Sequence, residues 1–192
     1  MTDPVDPIAV AIAVSRILDS LNILHSVGGS IAGSFAGEPR STVDIDIVAA
    51  IHESQVDRLA SLLRSDFYVD AAALHRAVRE RGTANLIHQP TQLKVDLFVA
   101  GGTPLDGQQL ERRQEVILAS GRLHIHPPED ILLQKLHWYR KGGETSDRQW
   151  RDILGIVRVQ GRRLDLAYLD TGAPVLGVED LLQRALREGG DV

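Results

Sequence analysis

The chain has 192 residues, 43% of them hydrophobic and 24% charged, which suits a soluble globular protein with one substantial core, or one domain with a helical annex. A formal net charge of −5 disfavours a surface built wholly for nucleic acid, while leaving room for a local basic groove. The absence of cysteine excludes disulfides, thiolate metal sites and cysteine nucleophiles, and fits a reducing compartment.

The N-terminal apolar run is preceded by acids where a signal peptide carries bases, and it is far too short to span a bilayer. A cytoplasmic protein is expected. From about Pro7 to Leu24, Ile8, Ala11, Ile12, Ser15 and Leu18 recur in helical step. A turn through Gly28 and Gly29 leads into a short helix around residues 31–35. The β-branched, alternating stretch 42–51 predicts a strand. Residues 53–65 predict a helix with Val56, Leu59, Leu62 and Leu63 inward. A short strand at 67–70 and a helix ending at Gly82 follow. Residues 84–102 read as a hairpin about a Gln-Pro-Thr-Gln turn, and 115–126 as a second strand pair.

After Pro127 the period changes. A helix begins with prolines in its first turn. Another begins with Ser146 and Gln149 spaced as a capping box and buries Trp150, Ile153, Leu154 and Val157. Two more short helices end the chain. The expected organisation is a core of residues 1–126 followed by a helical subdomain of residues 127–192.

Within the strand at 42–51, Asp44 and Asp46 share a face because side chains alternate, with Cα atoms about 6.5–7 Å apart. Adjacent carboxylates repel, so the pair is either a solvated strand face or a site for a hard cation such as Mg2+. In the strand "QLKVDLFVA" alternation sets Lys94, Asp96 and Phe98 on one face. If that strand lies beside the first, Asp96 becomes a third carboxylate, as a two-metal site requires; otherwise it is a surface aspartate. Gly28-Gly29-Ser30, just before a helix, can bring backbone N–H groups to phosphate oxygens, and Gly33-Ser34 is a second candidate.

Lys135 stands among Ile131, Leu132, Trp138 and Tyr139 on its helix, an unusual setting for a lysine. Its ammonium either reaches nucleotide phosphates across an interdomain cleft or snorkels to water. Arg40 either clamps a phosphate or ties its loop to Asp44. Arg148 and Asp152 are spaced for a helix-face ion pair. His124 and His126 share a strand face, and without a third ligand nearby a structural role is the better reading.

"VGGSIAG" (27–33), "RSTVDIDI" (40–47), "KVDL" (94–97), "PEDILLQKLHWYR" (128–140) and "DRQWRDILGI" (147–156) together resemble the DNA polymerase β-type nucleotidyltransferase superfamily. More narrowly, they resemble its AbiEii-like, toxin-type nucleotidyltransferases. The resemblance covers about four-fifths of the chain and implies an α+β fold: a mixed β-sheet flanked by helices, then a C-terminal helical subdomain. It implies an NTP substrate, ATP among the candidates, bound through Gly28, Gly29, Ser30, Arg40, Thr42 and Lys135. Asp44 and Asp46 would bind Mg2+ or Mn2+, and Asp96 would complete the second metal site and help activate the incoming hydroxyl. A nucleoside monophosphate would pass to a hydroxyl of a protein, a tRNA end or a small molecule, with pyrophosphate released. A toxin role with a cognate antitoxin as partner also follows from it, while no membrane association is expected from the short N-terminal run. Two departures are visible. Glu129-Asp130 stands where many members carry two glutamates, and Asp147 and Asp152 compete for the acid of the last motif.

The rival reading is a non-catalytic nucleotide-binding or partner-binding module of a toxin–antitoxin pair. A metal-dependent phosphohydrolase is a third. Basic clusters at Arg76, Arg79 and Arg81, and at Arg112 and Arg113, keep an RNA acceptor open.

Overall fold

The computed structural model describes residues 6–38 and 44–190. It divides into two compact units. The first holds the described residues through Ile31 and from Asp44 to Ile125; the second holds 32–38 and those from His126 onward.

The first unit is built on a seven-stranded sheet: β1 (His25–Val27), β2 (Asp44–Ala49), β3 (Phe67–Val69), β4 (Thr83–His88), β5 (Lys94–Val99), β6 (Gln114–Leu118) and β7 (Gly121–Ile125). Their order is β3-β4-β5-β2-β1-β7-β6. β2 runs parallel to β5 and β1 parallel to β7, while the other neighbours are antiparallel. The sheet is therefore mixed. Ile45, Ile47 and Ala49 of β2 alternate into the core with Val95, Leu97 and Val99 of β5, which turns the even-numbered residues of both strands to the other face.

Among the described residues four α-helices belong wholly to this unit, α1 (Pro7–Ser20), α3 (Val56–Leu63), α4 (Ala71–Glu80) and α5 (Asp106–Glu111), with α2 (Gly29–Ala36) falling between the first two in chain order. Asp6 caps α1 by accepting from the Ile8 amide at 2.9 Å, and Asp70 caps α4 by accepting from Ala72 and Ala73, each satisfying an amide with no partner inside the helix. In α3 Leu62 is only half-buried, and Ala60 holds the inward place beside Val56, Leu59 and Leu63.

α2 (Gly29–Ala36) begins in the first unit and continues in the second. The second unit also contains α6 (Pro128–Lys141), α7 (Asp147–Gln160), α8 (Leu166–Leu176) and α9 (Glu179–Gly189). Ser146 accepts from the Gln149 amide at 3.3 Å to start α7. Trp150, Ile153, Leu154 and Val157 are buried along it. The Trp150 indole donates to Glu188 at 2.8 Å, and the Arg184 guanidinium lies over its ring. Glu129 and Asp130 are buried where α6 begins: Glu129 accepts from the Asp165 amide at 3.0 Å and Asp130 from the Tyr168 hydroxyl at 2.5 Å. These acids tie α6 to the start of α8. Among the described residues no helix is long and apolar enough to cross a membrane.

Two elements were not legible in the sequence. β1 is only His-Ser-Val, two polar residues in three, yet all three are buried between β2 and β7. α5 is a polar six-residue helix whose entry is organised by the Asp106 carboxylate, which accepts from the amides of Gly101, Gly102 and Thr103.

Candidate active site

The acidic site grows from the pairing of three strands. β1 and β2 run antiparallel with Val27 opposite Ile47, so the next residue along β1 meets the one before Ile47. There the Gly28 amide donates to the Asp46 carbonyl at 2.9 Å. The chain turns at Gly29, whose φ of +55° lies in the left-handed region, and α2 starts. A Cβ on Gly29 would fall 1.7 Å from Asp46 Oδ2. The glycine backbone thus lies directly against the Asp46 carboxylate, an approach that only a residue without a side chain permits.

On the other side β5 pairs with β2 in parallel, setting Asp46 opposite Asp96 and Asp44 opposite Lys94. Partners in register share a face, so Asp44, Asp46 and Asp96 lie together on the face away from Ile45, Ile47, Val95 and Leu97. Asp44 is exposed; Asp46 and Asp96 are half-buried. At about 5 Å and an effective dielectric near 20, two carboxylates repel by roughly 3 kcal/mol. That repulsion calls for positive charge, and Lys94 provides some. Its ammonium stands 2.8 Å from Asp96 Oδ2. The hydrogen bond to Asp96, with the further pull of Asp44 and Asp46, holds the Lys94 pKa above its usual value. On these two strands one ammonium faces three carboxylates. Sequence reading placed Lys94 on the Asp96 face without giving it this role; its signal was the alternation itself.

The all-oxygen donor set, already attractive to a side-chain cation, fits a hard divalent ion. Gly28, Gly29 and Ser30 stand at the turn into α2, with Asp46 beside them. Arg40 and Thr42 lie outside the described residues.

Within the second unit, Lys135 Nζ donates to Asp152 Oδ2 at 2.9 Å, with the two side chains 14% and 18% exposed. Its Cε lies 3.2 Å from where a Cβ on Gly33 would stand, so the lysine stem passes closely by α2. Asp152 is the acid of the last motif that meets this lysine; Asp147 is exposed at the start of α7. Around the first unit the basic clusters are partly engaged: Arg79 lies 3.5 Å from Glu53, Arg81 donates to the Ala100 carbonyl and Arg113 to that of Leu110.

His126 lies beyond the end of β7 and is buried, whereas His124 faces His25 edge-on with ring centroids 5.8 Å apart. The third ligand-bearing neighbours that the sequence did not reveal are His25 and Asp19. The strand-face pair of His124 and His126 is replaced by this grouping, because β1 brings His25 in from far along the chain.

Neither a family model nor a curated protein matches the sequence. Solved structures do match. An antigenic nucleotidyltransferase-like protein from Paracoccidioides brasiliensis is similar at 20% identity over 94% of this chain and 91% of that one, with a TM-score of 0.57. ANT(2'')-Ia, solved with adenylyl-2''-tobramycin, is similar at 11% identity over 90% and 98%, with a TM-score of 0.55. The lincosamide antibiotic adenylyltransferase LnuA, lincomycin-bound, is similar at 11% identity over 82% and 99%, with a TM-score of 0.53. The chain has the α+β nucleotidyltransferase fold expected from its sequence.

Proposed function

We propose that the protein is a divalent-metal-dependent nucleotidyltransferase that moves a nucleoside monophosphate from an NTP to a hydroxyl acceptor. The observation that carries this reading is the register of β2 and β5, which sets Asp46 opposite Asp96 with Asp44 two residues along and Gly29 against the Asp46 carboxylate. Asp44, Asp46 and Asp96 would hold Mg2+ or Mn2+, whose contribution is to neutralise phosphate charge and orient the reacting oxygens. Gly28, Gly29 and Ser30 present backbone and hydroxyl donors to the triphosphate. Arg40, Thr42 and Lys135 are assigned to the same nucleotide from the sequence resemblance alone.

In the reaction the acceptor oxygen attacks the α-phosphorus. The new O–P bond forms as the bond to the β-phosphate oxygen breaks, and pyrophosphate leaves. Asp96 takes the hydroxyl proton. Such chemistry needs positioning and charge more than covalent work from the protein.

A small-molecule or protein hydroxyl is the favoured acceptor over a large RNA, because the net charge is −5 and Arg79, Arg81 and Arg113 are held by local partners. The similarity to two antibiotic adenylyltransferases points the same way. A toxin role with a cognate antitoxin is retained from the sequence resemblance alone. One observation favours the rival, non-catalytic module: Lys94 already neutralises part of the acidic cluster without an ion.

The deciding experiment incubates the purified protein with α-phosphate-labelled NTPs, Mg2+ and host lysate. Label should pass to an acceptor with the wild type and not with Asp46→Asn at unchanged stability. Nucleotide binding without pyrophosphate release would select the non-catalytic module, and undiminished labelling by the variant removes Asp46 from its role.

A further inference from the structure

A second titratable cluster stands apart from the acidic trio, on β1, β7 and the end of α1. Asp19 sits in the last turn of α1, His25 opens β1, and His124 lies in β7. One ligand atom from each falls within 4.8 Å of the others.

The state of His25 is informative. Its Nδ1 lies 3.0 Å from the Ile23 carbonyl oxygen. A carbonyl only accepts, so Nδ1 carries the proton and Nε2 the lone pair. That Nε2 is buried and has no hydrogen-bond partner among the described residues. A buried acceptor without a donor is costly and rare. Burial also holds the His25 pKa below its ordinary value, against the pull of the Ile23 carbonyl and of Asp19; His124 and Arg113 lower it further. A neutral imidazole is the form that ligates metals. Its contact with a backbone carbonyl is the arrangement that orients metal-bound histidines.

We propose that Asp19, His25 and His124 form a binding site for a borderline divalent cation of the zinc type, distinct in place and chemistry from the oxygen-only trio of Asp44, Asp46 and Asp96. Two imidazoles sharing one tetrahedral zinc hold their ring centroids roughly 5 Å apart, against 5.8 Å here. Drawing ligand atoms in from separations of at most 4.8 Å to about 3.4 Å, the separation set by zinc bonds near 2.1 Å, takes a shift of at most about 1.4 Å. Asp19 and His124 have room to make it, with side chains 35% and 20% exposed. Glu115 offers a fourth donor, its Oε1 being 4.0 Å from His124 Nε2. One competing cation among the described residues is Arg122, which lies 3.9 Å from Asp19 and 3.6 Å from Glu115. Its side chain is 63% exposed and free to swing into water. Bound zinc would tie α1 to β1 and β7, stiffening the strand that leads into Gly28.

The test is zinc titration of the full chain by calorimetry, with thermal unfolding measured in parallel. Wild type should bind one Zn2+ at this site and unfold at a higher temperature in its presence. His124→Gln and Asp19→Asn, at the more accessible ligands, should each weaken that binding by more than about tenfold. Arg122→Ala should strengthen it, and Asp46→Asn should leave it unchanged. Zinc binding that survives both ligand variants, or that is lost in Asp46→Asn, overturns the assignment, as does no binding by the wild type. Because Asp46→Asn separates the two clusters, failure here is distinguishable from failure of the nucleotidyltransferase reading.

Discussion

Replacing Gly29 by alanine tests the acidic site most directly, because two separable penalties meet there. The first is the backbone: at φ +55° an L-residue with a Cβ costs about 1–2 kcal/mol relative to glycine. The second is contact. The new Cβ would stand 1.7 Å from Asp46 Oδ2, so the carboxylate must retreat by about 1.3 Å to reach even the 3.0 Å limit of real Cβ contacts. Driving a side chain about 30° off its rotamer costs about 0.5–1.5 kcal/mol, giving a loss of roughly 1.5–3.5 kcal/mol in urea unfolding. Gly143 supplies the control, since it too has positive φ (+73°) but nothing within 4 Å of an added Cβ. Its alanine variant should show only the backbone share. The functional consequence is larger than the thermodynamic one. A displacement of about 1 Å at a reacting centre lowers rate by about 10²-fold, so Gly29→Ala should lose nucleotide transfer under conditions where it remains folded. A Gly29→Ala protein with wild-type labelling and wild-type Mg2+ affinity would refute the close packing of this turn on Asp46 as a catalytic requirement.

Lys94→Met removes the ammonium that competes with a divalent cation for Asp96; at its part-exposed position this should tighten Mg2+ binding several-fold, about 1 kcal/mol, and calorimetry showing unchanged or weaker binding contradicts the cation placement. Asp152→Asn takes away the charged partner of a largely buried lysine, so stability should fall by about 1.5–3 kcal/mol, and Lys135→Met/Asp152→Leu should recover much of it; nucleotide transfer restored along with stability in the double variant rules out a role for Lys135 on the nucleotide. His75 is hydrogen-bonded by Asp57 and Glu53, which raise its pKa. Because the folded pKa lies above the unfolded value near 6.5, its contribution is fully present below pH 6.5 and disappears as pH rises through the raised pKa. An NMR titration should place His75 above 6.5 and show Asp57→Asn lowering it; a value at or below 6.5 in the wild type contradicts this geometry.

Local pattern was readable wherever one face of an element is buried. Alternation in "VDIDI" and "KVDLF" put Asp44 with Asp46, and Lys94 with Asp96, because strand side chains change face at every residue. The helical stripe of Trp150, Ile153, Leu154 and Val157 was readable for the same reason at a period of 3.6. β1 escaped because three residues are too few for a period, and its burial comes from neighbours on both sides. α5 escaped because Asp106 organises it through loop amides rather than through an apolar stripe.

What the sequence by itself determined is therefore the face on which each acid stands, which follows from local periodicity, while the α+β fold class came from the resemblance that its motifs carry. Only the tertiary structure decided which strands are neighbours: β5 beside β2, bringing Asp96 level with Asp46, and β1 beside β7, grouping His124, without His126, with Asp19 and His25. Strand adjacency depends on connections and packing between segments distant along the chain, and a single sequence carries no periodic trace of those contacts.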